Sequence, residues 1–258
     1  MSRFEELRAV VERLRAQDGC PWDREQTPET MRPYLIEEAY EVVEAIESGE
    51  PAELKKELGD LLFQIMLLSE MGRQAGWFDV DEVCQGITEK MVRRHPHVFD
   101  PEHEEEDPGS VGAWEARKAR ERGAGGGSML DGVPKSLPSL IRAHRVGEKV
   151  SRVGFDWPDA DGARAKVFEE LGELDEARSE ADPDRIRHEY GDLLLAVASY
   201  GRLLGLGPEE ALREANQRFE GRFRGVESMA ANRDQLLTEL SIQELEALWQ
   251  RAKSEEGA

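Results

Sequence analysis

One arrangement of acidic residues occurs twice in this chain, in register and without a gap. Glu37, Glu38, Glu41, Glu57 and Asp60 in the segment 36–70 recur as Glu169, Glu170, Glu173, Glu189 and Asp192 in the segment 167–200, at a constant spacing of 132 residues. Both copies continue into Gly-Asp-Leu-Leu, at 59–62 and 191–194. The residues between the acids differ, so chance is a poor explanation for five matches. A duplicated unit of this size restricts the chain to two similar structural modules.

Strand signals are sparse and helix signals abound. Thr27-Pro28, Glu50-Pro51, Asp182-Pro183 and Gly207-Pro208 each read as a cap followed by proline at the first helical position. Ser241-Ile-Gln-Glu244 is a capping-box pattern that opens a last helix. The expected fold is all-α, with two tandem helical-bundle domains at 1–115 and 131–258 and antiparallel helices joined by short turns. Between them, an acidic run, a charged stretch and a glycine tract suit a surface linker at 116–130. The tract Gly-Ala-Gly-Gly-Gly-Ser at 123–128 is not a phosphate loop, because no strand precedes it and no Gly-Lys-Ser/Thr follows.

A net charge of −21 over 258 residues argues against a nucleic-acid-binding face, which needs clustered Lys and Arg. No apolar run approaches the roughly 18 residues of a membrane span. The first residues form an amphipathic helix start with no secretion-signal pattern, so a cytoplasmic location is expected. Cys20 and Cys84 are too few for a disulfide framework or a thiolate zinc cage and are expected as reduced thiols.

The acids are the chemical content of the repeat. On a helix Glu37, Glu38 and Glu41 share one face, opposite Leu35, Val42, Val43 and Ile46, which alone describes an ordinary amphipathic helix. Glu57 and Asp60 differ, because Leu54, Leu58, Leu61, Leu62, Phe63, Ile65 and Met66 surround them. A helix apolar nearly all round is expected to be buried. Glu189 and Asp192, ahead of Leu193, Leu194 and Leu195, repeat the situation.

Buried carboxylates must be neutralised by protonation, by basic partners or by a cation, and a cation is the economical choice where five converge. Oxygen-only ligation favours Mg²⁺ or Mn²⁺. A di-iron bundle would require Glu-x-x-His pairs, and neither copy has histidine at that spacing. His95 and His97 are expected in a loop or helix end rather than at a metal.

The pattern Glu-Glu-x-x-Glu followed by Glu-x-x-Asp resembles the metal site of the all-α nucleoside triphosphate pyrophosphohydrolases, the MazG family. The stretches GCPWDREQT at 19–27, RRHPHVF at 93–99 and LDGVPKSLPSLIRAHRVGEKVSRVGFDW at 130–157 extend the resemblance over nearly the whole chain. It implies hydrolysis of the α–β phosphoanhydride of nucleoside triphosphates, ribo and deoxy, to monophosphate and pyrophosphate, with Mg²⁺, broad base tolerance and a homodimer.

The resemblance also implies site residues. Glu170, Glu173, Glu189 and Asp192 are the expected metal ligands, with Glu38, Glu41, Glu57 and Asp60 as their counterparts. Glu169 is the candidate to orient the attacking water. Lys166, Arg185, Arg218 and Arg222 match phosphate-contacting positions, and Trp249 and Lys253 match nucleotide-contacting ones. Trp249 reads equally as a packing anchor of the terminal helix.

The first copy has Tyr34 in place of Lys166 and Glu53 in place of Arg185, while Lys90 and Arg94 stand opposite Arg218 and Arg222. The second copy is therefore the expected catalytic one. A narrower hydrolase of aberrant nucleotides and a catalytically silent nucleotide-binding regulator are the alternatives. Trp22 and Cys20 carry no evident chemistry, and Asp23 is a candidate helix cap.

Overall fold

The computed structural model describes residues 2–100 and 128–256. The expected domain boundary and the linker up to residue 127 lie outside them. The chain divides into two compact units, Met1–Glu121 and Arg122–Ala258. Among the described residues all regular structure is helical.

The first unit contains α1 (Arg3–Leu14), α2 (Pro21–Glu25), α3 (Arg32–Ser48), α4 (Pro51–Gln74), α5 (Val80–Arg94) and α6 (Pro96–Phe99). α4 is the hub and packs against α1, α3 and α5. Its C-terminal half supplies Met66, Leu67 and Met71 to a core with Val11, Met31 and Val80. The acids occupy the other half, so the core holds α4 at one end and leaves its first turns to face α3.

Glu50-Pro51 opens α4 as expected, but Thr27-Pro28 does not open a helix. Residues 27–31 form a turn in which Met31 N–H donates to Thr27 O at 3.1 Å, and α3 starts at Arg32 with Pro33 in its first turn. The turn is closed locally by Thr27 and Thr30, whose backbone N–H groups each donate to the other's hydroxyl. That competes with helix initiation at Pro28.

The GCPWD stretch is architectural. A side chain at Gly19 would put its Cβ 2.2 Å from Leu14 O, where the chain doubles back on the end of α1. Arg15 reaches across, donating to the backbone carbonyls of Asp23 and Gln26 and, at 3.0 Å, to Gln74 Oε1 on α4. Asp23 is buried and does not cap α2. Cys20 takes that position without a side-chain bond.

The second unit contains α7 (Ser139–Ser151), α8 (Ala160–Glu180), α9 (Pro183–Leu203), α10 (Pro208–Ala231), a 3₁₀ turn (Leu237–Glu239) and α11 (Ile242–Glu256). α8 and α9 form a long hairpin, α7 packs on α9 and α10, and α10 pairs with α11. Val226, Ala230, Leu248 and Ala252 form the core of that last pair. Asp182-Pro183 and Gly207-Pro208 open helices, and the Ser241/Glu244 capping box is present in both directions.

The repeat survives as two hairpins, α3–α4 and α8–α9, that turn in the same way. Gly49 ends α3 at φ 70°, and Ala181, 132 residues later, ends α8 at φ 55°. Glycine takes this left-handed geometry freely, whereas alanine is strained by its Cβ. Ala181→Gly is therefore expected to stabilise the chain by about 0.5–1 kcal/mol, read as a higher midpoint in urea unfolding with an unchanged slope.

The expectation that α4 is buried all round is not met. Leu58, Leu62 and Ile65 are exposed on its outer side, as are Tyr190, Leu194, Leu195 and Val197 on α9. On both helices an apolar stripe therefore faces outward.

Candidate functional site

In the first hairpin, α3 contributes Glu38 and α4 contributes Glu57 and Asp60. Carboxylate oxygens of these three lie within 4.8 Å of one another. Glu57 Oε1 accepts a hydrogen bond from Lys56 Nζ at 2.8 Å, and Asp60 Oδ2 is 3.9 Å from the same ammonium. Glu57 Oε2 is buried without a hydrogen-bond partner. Gln64, one turn beyond Asp60, donates to Glu38 Oε1 at 3.2 Å.

In the second hairpin, Glu170 and Glu173 of α8 meet Glu189 of α9 within the same 4.8 Å. Glu170 is buried and Glu169 exposed. Lys166 Nζ donates to Glu169 Oε1 at 2.7 Å and lies 2.6 Å from Glu170 Oε1. Asp192 groups instead with Glu189 and His188, whose Nδ1 is 3.1 Å from Asp192 Oδ2 and 3.9 Å from Glu189 Oε2.

Five acids do not meet at one point in either copy. Glu37, Glu41 and Glu169 stand outside the tight groups. The i, i+3 spacing on α9 splits the second copy into two adjoining clusters that share Glu189. Nor is the second site lined by oxygen alone, since His188 brings a nitrogen donor to it. The signal was present in the sequence, because a shift of 132 from Lys56 lands on His188.

Crowding of like charges appears at corresponding places. Partial desolvation and the carboxylates of Glu57, Glu38 and Glu37 push Glu41 above the usual carboxylate range. Partial desolvation and Glu170 do the same to Glu173, with Glu189 and Glu169 adding to it and Lys166 opposing. Hydrogen bonds to Glu169 and Glu170 hold the Lys166 ammonium firmly protonated.

These residues fit a hard divalent cation. Oxygen donors from two helices converge within coordination span, and one buried carboxylate oxygen in the first copy has nothing to bind.

The expected phosphate contacts divide into two sets. Lys166 and Arg185 sit at the acids, with Arg185 Nε 3.7 Å from Glu189 Oε1 while its Nη1 donates to Glu180 at 2.5 Å. The other set lies on α10 and α11. Arg218 Nη1 is 3.6 Å from Glu214 Oε2, and the Arg222 guanidinium stands 5.9 Å from the ring centre of Trp249. Trp249 packs on Phe219 at 4.9 Å and borders the α10–α11 core, so it is a packing residue with a partly exposed ring. Lys253 is exposed on α11. In the first copy, Tyr34 meets Trp22 edge-on at 5.8 Å.

His95 lies at the junction of α5 and α6, and its Nδ1 is 2.7 Å from Met91 O, as expected of a helix end. Cys20 and Cys84 are free thiols.

Known proteins resemble this chain over nearly its whole length. The chain is 41% identical over 251 residues to the nucleoside triphosphate pyrophosphohydrolase/pyrophosphatase MazG of Thermotoga maritima, covering 97% of this chain and 95% of that one. It belongs to the MazG family. The family's nucleotide pyrophosphohydrolase domain model matches residues 26–99, which include Glu38, Glu41, Glu57 and Asp60. A second relative, the nucleoside triphosphate pyrophosphohydrolase of Escherichia coli K12, is 40% identical over 260 residues, covering 99% of each chain. A crystal structure of a mazG-related protein from Thermotoga maritima aligns with a TM-score of 0.39 and 29% identity, over 45% of this chain and 98% of that one.

Proposed function

We propose that this MazG-family chain hydrolyses nucleoside triphosphates to the monophosphate and pyrophosphate, with Mg²⁺ or Mn²⁺ held by the paired carboxylates of its helical hairpins. The observation that carries the reading is the convergence of Glu170, Glu173 and Glu189 from two helices beside a lysine. Ribo- and deoxynucleotides are both substrates in this reading, with the broad base tolerance that the family resemblance implies.

When bound, the cation neutralises polyphosphate oxygens and lowers the pKa of a bound water. The chain supplies the rest. Buried Glu170 and its neighbours fix the ligand positions, and α8 and α9 hold them without loops. In this reading exposed Glu169 orients a water and accepts its proton. Lys166 is paired with Glu169 and Glu170, and its charge would be available to a phosphate once Glu170 served a cation. Arg185 adds a second positive group at Glu189.

The second hairpin is the working site in this reading. Lys166 and Arg185 have no cationic counterparts at 34 and 53, and a polyanion meets more positive charge there. We further propose a cytoplasmic homodimer, supported by the apolar stripes that Leu58, Leu62 and Ile65 and their α9 equivalents turn outward. Among the described residues no helix is long and apolar enough to cross a membrane.

Pyrophosphate release from ATP, dATP and the other common triphosphates in the presence of Mg²⁺, abolished by EDTA, is the expected result. Turnover confined to a modified nucleotide would favour the house-cleaning alternative. Nucleotide binding without pyrophosphate release would favour the regulator.

A further inference from the structure

The residue immediately before the second acid pair differs in chemistry between the two hairpins. In the first it is Lys56, whose ammonium donates to Glu57 at 2.8 Å and lies 3.9 Å from Asp60. In the second it is His188, with Nδ1 3.1 Å from Asp192 and 3.9 Å from Glu189. An ammonium has three donors and no lone pair, so it repels a cation from the oxygens it occupies. An imidazole offers a lone pair to that cation.

We propose that His188 is a metal ligand, making the second hairpin a mixed nitrogen–oxygen site while the first remains a weaker, oxygen-only one. This rests on the metal-binding reading above. Three observations carry it. One donor atom from each of His188, Glu189 and Asp192 falls within 4.8 Å of the others. His188 and Asp192 are one turn apart on α9, the i, i+4 spacing at which two side chains on a helix chelate one ion. Among the described residues, the ion-pair partners of His188 are Glu189 and Asp192, both on its own helix.

The consequence is a difference in ion preference. Imidazole nitrogen adds little for Mg²⁺, which takes oxygen, and adds more for Mn²⁺, Co²⁺ and Zn²⁺. The second site therefore discriminates in favour of these ions, and the first does not.

The test uses the full chain loaded with Mn²⁺ and read by electron spin echo modulation, which detects a directly bound nitrogen. Nitrogen modulation is expected in the natural chain and is expected to vanish in His188→Ala and in His188→Lys, which copies the first hairpin. Mn²⁺ affinity should fall about tenfold or more in both variants, while Mg²⁺ affinity stays within about twofold in His188→Ala and falls together with Mn²⁺ in His188→Lys. Lys56→His should add a second nitrogen-coupled ion. His188 is exposed on a helix, so circular dichroism should confirm that the variants keep their fold. Mn²⁺ that binds to the natural chain with no nitrogen coupling would overturn the role of His188 and leave the carboxylate site standing. Failure of the natural chain to hold either Mn²⁺ or Mg²⁺ would overturn the carboxylate site as well.

Discussion

Glu170→Gln and Asp192→Asn are each expected to lower pyrophosphate release about 100-fold or more, corresponding to roughly 3 kcal/mol of lost transition-state stabilisation. The amides keep the volume of the carboxylates and remove their charge, so packing between α8 and α9 is preserved. Glu170 is buried and shares its cluster with Glu173 and Glu189, and Asp192 shares Glu189 with His188. Losing either charge weakens the hold on a cation at the place where a triphosphate would be engaged.

The same changes at Glu38 and Asp60 are expected to cost far less. Lys56 already compensates Glu57 and Asp60, and Tyr34 and Glu53 offer a polyphosphate no positive charge. Steady-state rates for the four variants decide the matter. Equal losses from both hairpins would contradict the assignment of catalysis to the second.

The second large effect is on stability. Glu41 and Glu173 titrate above their ordinary value in the folded chain, so the folded state holds protons that the unfolded state has released. Their contribution is neutral well below pH 4.5. It becomes unfavourable as pH rises from there through the raised folded values, and stays so at neutral pH. A divalent cation relieves the same repulsion.

Mg²⁺ is therefore expected to stabilise the chain strongly at pH 7.5 and weakly near pH 4.5, where protons compete for the carboxylates. At about 100 times its dissociation constant the ion adds roughly 2.7 kcal/mol. Denaturant melts with and without Mg²⁺ at the two pH values measure this. A shift of equal size at both would show that the ion acts elsewhere.

Much of the fold was legible because local signals agreed with one another. Glu50-Pro51, Asp182-Pro183, Gly207-Pro208 and the Ser241/Glu244 box lie where helices start, since each acts on backbone groups within one turn. Thr27-Pro28 misled because the hydroxyls of Thr27 and Thr30 close a turn first. Helical periodicity also overstated the burial of α4 and α9, for it gives the polarity of a face and not whether another helix covers it.

Tertiary ion pairs were invisible in the sequence. Arg202 of α9 makes a two-pronged pair with Asp156 at 2.9 and 2.5 Å, whereas the equivalent position in α4 is Glu70, paired with Arg73. The repeat thus preserves the acids of the hairpins while reversing the charge of the support behind them. Lys56 and His188 could have been found by applying the spacing of 132 to every residue beside the acids, not to the acids alone.

The most direct measurement is a crystal structure of the full chain grown with Mg²⁺ and a non-hydrolysable nucleoside triphosphate. The proposed function predicts magnesium among Glu170, Glu173, Glu189 and Asp192, with polyphosphate oxygens completing its coordination and Lys166 turned toward the phosphates. A triphosphate bound elsewhere, with those four side chains spread into solvent and no ion between them, would contradict it.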